Sequence, residues 1–168
     1  MTLAQLNALT FEDAAAELQR CCGSRQWAEG VARARPFRDE EHLYTEAARR
    51  WEKAGPADWH EAFSHHPRIG DVSKLRERFA QTASWSSQEQ QGVSAASEET
   101  LRELAEGNGA YEEKFGHLFL VCATGKSAAE LLALLRERMN NAPDHELRVA
   151  CAEQAKITRI RLEKLLSS

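Results

Sequence analysis

Apolar residues recur at helical spacing along almost all of this sequence, and the one stretch with strand character has no second stretch to pair with. A lone strand leaves backbone donors and acceptors without partners, so helix-on-helix packing is the solution this pattern allows. Leu43, Ala47 and Trp51 fall on one face between Asp39 and Lys53, and Leu131, Leu132, Leu135 and Met139 fall on one face between Ser127 and Met139. Thr2 to Leu9 is a short amphipathic segment, and Thr10, with Asp13 in the turn that follows, caps a helix to about Cys21. Trp27 and Val31 begin another stripe that Pro36 breaks. Gly55-Pro56 ends one helix and starts the next, which carries Trp59 and Phe63. Ser73 to Gln81 is again helical, Ser86 opens a further helix, and Ser97 caps a long one through Leu101, Leu104 and Tyr111. Pro143-Asp144 begins a last helix that runs close to the final residue. The strand-like stretch, Phe115 to Ala123, reads as a buried extended or helical connector. The expectation is an all-α single domain over residues 1–168, an irregular bundle of roughly eight to nine helices.

A chain of 168 residues with 42% hydrophobic and 29% charged residues can bury a sizeable core without disulfides or metal. The formal net charge of −4 gives no basic excess for a nucleic-acid backbone or an anionic membrane surface, although local positive charge can still bind a small anion. Cys21, Cys22, Cys122 and Cys151 form no C-x-x-C pair, which points to reduced and mostly buried thiols. The first residues lack a basic segment and a long apolar run, no later stretch reaches membrane-spanning length, and the last residues are not a peroxisomal tripeptide. The expected location is therefore the cytoplasm.

Two apparent motifs carry little. Gly125-Lys126-Ser127 looks like the end of a phosphate loop, but Leu120 stands where that loop needs its first glycine, so Ser127 reads as a helix cap. His60, His65, His66 and Asp71 are potential metal ligands, but no pair has the spacing of a zincin helix. Three others bear chemistry. His66 precedes Pro67, which holds it in extended geometry, and an imidazole can give and take a proton near neutral pH. Ser86-Ser87-Gln88-Glu89-Gln90 has the form of a capping box, and a helix N-terminus also offers N–H groups to a carbonyl or carboxylate ligand. Arg161 shares a stripe with Leu147, Ala150, Gln154, Ile157 and Leu165, whereas Arg159 points the other way. An inward guanidinium needs a partner, either an internal carboxylate or an anionic ligand held bidentately.

H-P in a loop, S-x-x-E-Q opening a helix, Y-E-E-K-F-G followed by F-L-V-C-A-T-G, and K-I-T-R-I-R-L near the end occur in that order. This set, from about Phe11 to Leu165, resembles the family of 2-oxo-4-hydroxy-4-carboxy-5-ureidoimidazoline (OHCU) decarboxylases. The resemblance implies an all-α homodimer that uses no cofactor and no metal and converts OHCU, the product of hydroxyisourate hydrolysis, to (S)-allantoin and carbon dioxide. It implies His66 as proton donor, with Glu89 sharing the catalytic work. Pro67, Ser86, Ser87, Gln88, Glu89, Gln90, Phe119, Leu120, Val121, Cys122, Ala123 and Arg161 would bind the substrate. Three features depart from the family pattern: His65 doubles the histidine, His117 stands where an aromatic residue is common, and Arg68-Ile69 replaces an acidic-apolar pair. Two other classes compete. A non-catalytic helical binding module would need a large exposed apolar patch, and a metal hydrolase would be built on His60, His65 and Asp71.

Overall fold

Helices start where side chains accept hydrogen bonds from their first amides. Thr2, Thr10, Ser24 and Asp39 do so at the heads of α1 (Leu3–Ala8), α2 (Phe11–Cys21), α3 (Arg25–Arg33) and α4 (Glu40–Glu52). α5 (Pro56–Ser64) opens on a proline, whose missing N–H costs nothing in a first turn. The computed structural model describes residues 1–68, 72–80 and 89–167, with side chains except in 78–80 and 89–97. Among the described residues there are nine helices and no strand, as the apolar spacing predicts.

The chain forms two compact units, Met1–His66 with Val149–Ser168, and Pro67–Arg148. In the first, Leu6, Leu18, Val31, Leu43, Phe63 and Leu162 are fully buried. Two tryptophans tie elements together through their ring N–H groups: Trp27 donates to the Ala47 carbonyl and Trp51 to that of Cys151, each at 2.9 Å. The last helix, α9 (Pro143–Leu166), gives most of its length to this unit. Its buried line there is Ala150, Gln154, Thr158 and Leu162. The expected stripe is thus rotated slightly: Ile157, Arg161 and Leu165 flank the buried line and are half-buried.

The second unit contains α6 (Val72–Ala80), α7 (Glu89–Phe115), α8 (Ala128–Arg138) and the start of α9. Leu75, Leu101, Leu104, Tyr111, Phe119, Leu131 and Leu135 form its core. The expectation that Ser97 caps a helix is corrected. α7 runs unbroken through it, because no proline interrupts Glu89 to Ser97 and Gly92 alone costs only about 1 kcal/mol. Gly116 ends α7 with φ +74°, a conformation that favours glycine, and its N–H donates to the Glu112 carbonyl at 2.8 Å. From there to Ala123 the chain is neither helix nor strand, and Phe119, Leu120 and Cys122 are buried, so of the two expected forms of connector, extended or helical, it is not the helical one. Ser127 caps α8 in a capping box with Glu130, which disposes of the phosphate-loop likeness. No disulfide joins the four cysteines, and only Cys151 is not fully buried.

Candidate active site

The two adjacent histidines part company at the end of α5. The His66 N–H donates to the Phe63 carbonyl at 3.1 Å, and Pro67 then prevents the helix from continuing. His65 is exposed and lies against Gly23, where an added Cβ would stand 2.6 Å from the His65 Cβ and Cγ. Only glycine permits that approach. His66 is half-buried, and its Nε2 lies 2.7 Å from Gln154 Oε1. Gln154 Nε2 donates to Thr158 Oγ1 at 3.0 Å, and the Thr158 side chain hydrogen-bonds the Cys22 thiol. Burial holds the His66 pKa below its ordinary 6.5; the Gln154 hydrogen bond opposes this, while Arg161 and His65 add to it. The ring is therefore mainly neutral at pH 7.

Arg161 is half-buried on α9. Its Nη1 donates to the Cys21 carbonyl at 3.4 Å, and among the described residues it forms no ion pair. Burial pushes the Cys21 and Cys22 thiols up to about 11, so they remain uncharged and do not neutralise the guanidinium beside them. A partly desolvated cation with no carboxylate partner among the described residues has donors to offer an anion. Arg159 is exposed as expected but not idle: its guanidinium stacks 3.5 Å from the Tyr44 ring centre and pairs with Glu163.

The structure thus brings His66 and Arg161 together in the first unit. Pro67 is exposed and follows directly in the chain. Ser86, Ser87 and Gln88 lie outside the described residues, as do the side chains of Glu89 and Gln90, whose backbone forms the first turn of α7. Asp71 also lies outside them, and His60 packs edge-on against Phe63.

In the second unit, Phe119, Leu120 and Cys122 are buried and Val121 and Ala123 half-buried. This connector is held by Arg138, whose Nη1 donates to the Leu120 carbonyl at 2.6 Å and whose guanidinium lies 4.7 Å from the Phe119 ring centre. Arg138 Nε in turn donates to Glu146 at 2.7 Å, and Glu146 also accepts from Tyr111 and Asn141. His117 is buried edge-on against Tyr111, at 5.5 Å, so the departure at this position takes an aromatic packing role. Sequence reasoning missed Arg138, Glu146 and Thr158. The available signal for Thr158 was its spacing with Gln154, Ala150 and Leu162 on one helix face.

Comparison with known proteins bears on this geometry. The chain is 38% identical over 153 residues to a uric acid degradation bifunctional protein of Arabidopsis thaliana, covering 90% of this chain and 47% of that one. It is 37% identical over 59 residues to a 2-oxo-4-hydroxy-4-carboxy-5-ureidoimidazoline decarboxylase of Amia calva, covering 35% of this chain and 34% of that one. The chain thus spans half or less of the length of these curated relatives. Among solved structures it is similar to an OHCU decarboxylase crystallised in the presence of (S)-allantoin, with a TM-score of 0.73, 36% identity and coverage of 90% of this chain and 98% of that chain. A likeness to an (S)-allantoin synthase, at a TM-score of 0.70 and 18% identity over 99% of this chain and 54% of that one, shows the shared fold. Residues 7–163 match the family model described as OHCU decarboxylase, which takes in His66, Gln154 and Arg161 alike, and the chain belongs to the OHCU decarboxylase family.

Proposed function

We propose that this chain is a carboxy-lyase that converts OHCU to (S)-allantoin and carbon dioxide in urate degradation. The observation that carries the reading is the pairing, in a chain of this family, of a half-buried neutral imidazole at His66 with an Arg161 that has no ion-pair partner among the described residues. The family match runs through both units, which supports treating residues 1–168 as one working domain.

The chemistry asks little of the protein. The bond between ring carbon 4 and its carboxylate breaks, carbon dioxide leaves, and the electron pair passes into the conjugated ring. The ring is its own sink, so the reaction needs no pyridoxal-type or thiamine-type cofactor and no metal. The hydroxyl on carbon 4 then gives up a proton to become a carbonyl, carbon 5 receives one on a single face, and the ring nitrogen that took the electron pair takes a proton from water. Arg161 grips the anionic substrate and supports the developing charge. His66 moves the proton, and Glu89 handles the second exchange. Pro67, Ser86 to Gln90 and Phe119 to Ala123 supply the remaining substrate contacts. The working form is a homodimer in the cytoplasm, and no helix among the described residues is long and apolar enough to cross a membrane.

The direct test adds the protein to hydroxyisourate generated in the presence of its hydrolase and follows circular dichroism. A chiral allantoin signal that rises faster than the uncatalysed racemic background is expected; the background rate alone rejects the activity. Arg161→Leu should weaken substrate binding by about 10- to 100-fold, since a hydrogen bond to a charged group is worth roughly 1.5–3 kcal/mol. Its melting temperature should change little, and a collapse would make Arg161 a structural residue instead. Arg159→Leu is the control: the Michaelis constant should stay put while stability falls by about 0.5–1 kcal/mol from the lost stack on Tyr44.

A further inference from the structure

A fully buried glutamine on the apolar face of α9 stands out, because Ala150 and Leu162 on the same line are apolar and bury no such group. Gln154 has both ends of its amide engaged, Oε1 toward His66 and Nε2 toward Thr158. The amide is oriented so that Nε2 donates to Thr158 Oγ1. The Thr158 hydroxyl has one hydrogen, and giving it to the Cys22 sulfur leaves its oxygen to accept from Gln154 Nε2. Oε1, which can only accept, is then the atom that faces the imidazole. Among the described residues, the charged and titratable groups that act on His66 are Arg161 and His65, neither of them an anion.

We propose that Gln154 is a positioning residue for the reaction: its Oε1 holds the Nε2 hydrogen of His66, fixes the neutral ring in one tautomer, and leaves Nδ1 unprotonated, as the nitrogen that takes up and passes on the substrate's proton. This rests on the reading of His66 as proton donor. Nδ1 forms no hydrogen bond with a described residue, so it is available to take the proton from the substrate hydroxyl and return it to ring carbon 5. The choice of an amide over a carboxylate has a chemical sense. A carboxylate in this place would stabilise the imidazolium and fill Nδ1 before substrate arrives, whereas an amide orients the ring and leaves it neutral.

The test begins on the unaltered protein. Long-range proton–nitrogen correlation on a nitrogen-15 sample, with His66 assigned by the signal missing from His66→Asn, should show the hydrogen on Nε2. A ring protonated on Nδ1, or averaging between tautomers, overturns the proposal. Gln154→Leu should lower kcat by about tenfold or more, part of the roughly 10²–10⁴-fold that a placed acid or base contributes, with KM little changed. Gln154→Glu keeps an acceptor oxygen, so it should retain the Nε2 tautomer while moving the acid limb of kcat/KM to higher pH. If Gln154→Leu does not fold, the spectrum of the unaltered protein and the Gln154→Glu profile decide. Normal kcat in Gln154→Leu beside an inactive His66→Asn removes the role of Gln154 alone. Normal turnover in His66→Asn removes the role of His66, whatever the tautomer.

Discussion

Replacing His66 with asparagine should lower turnover by about 10²–10⁴-fold while the helices and the melting curve stay close to those of the parent chain. Asparagine is polar and smaller than the ring, so it fits the half-buried position without a clash, and water drawn into the vacated space serves Gln154 Oε1. What it lacks is a group that exchanges protons near neutral pH. The pH dependence follows with a definite sign. Burial depresses the folded-state pKa of His66 below 6.5, so the neutral ring is the form the fold prefers. Its contribution to stability is complete above 6.5 and is lost as pH falls toward the depressed value, because the unfolded chain binds the proton more readily there. The acid limb of kcat/KM should lie below 6.5 for the same reason and should vanish with His66→Asn, along with that part of the acid destabilisation. Full turnover in the variant, or an acid limb unchanged in what activity remains, would take the proton-transfer role away from His66.

The helices were legible because each rule is local. Thr10 announces its helix by a side chain that accepts from an amide within one turn, and Pro36, Gly55-Pro56 and Pro143 break the pattern where the backbone cannot continue. The connector after Gly116 was legible by exclusion, since strand-like content without a partner strand has to bury its side chains some other way. Ser97 misled because a serine followed by acidic residues suits a helix start, yet a serine inside a longer helix costs only tenths of a kcal/mol. The candidate site was legible only where one residue type suffices. A histidine before proline and an arginine on an inward stripe declare themselves, but which of two adjacent histidines turns inward depended on Gly23, forty-two positions before His65 in the chain. Nor could spacing say that Gln154 and Thr158 join His66 to Cys22, because a hydrogen-bonded relay is a property of packed neighbours.

The network around Arg138 shows how far such a property can reach. Glu146 is wholly buried and Arg138 nearly so, and the carboxylate satisfies the guanidinium, the Tyr111 hydroxyl and Asn141 together. Glu146→Leu removes the counter-charge and strands Arg138 in the core, which should cost about 3–5 kcal/mol. For a chain of this size that lowers the melting temperature by on the order of 10 °C. Replacing both, Arg138→Met with Glu146→Leu, should recover most of the stability, because two well-packed apolar side chains bring no desolvation penalty. Stability and function should then separate. Arg138 also donates to the Leu120 carbonyl in the connector proposed to line the substrate site, and no methionine can do so. The double variant should therefore melt near the parent temperature yet bind substrate more weakly, with a raised KM. A single Glu146→Leu variant as stable as the parent would show that the pair carries no such strain. A double variant with normal KM would show that the hold on Leu120 serves folding alone.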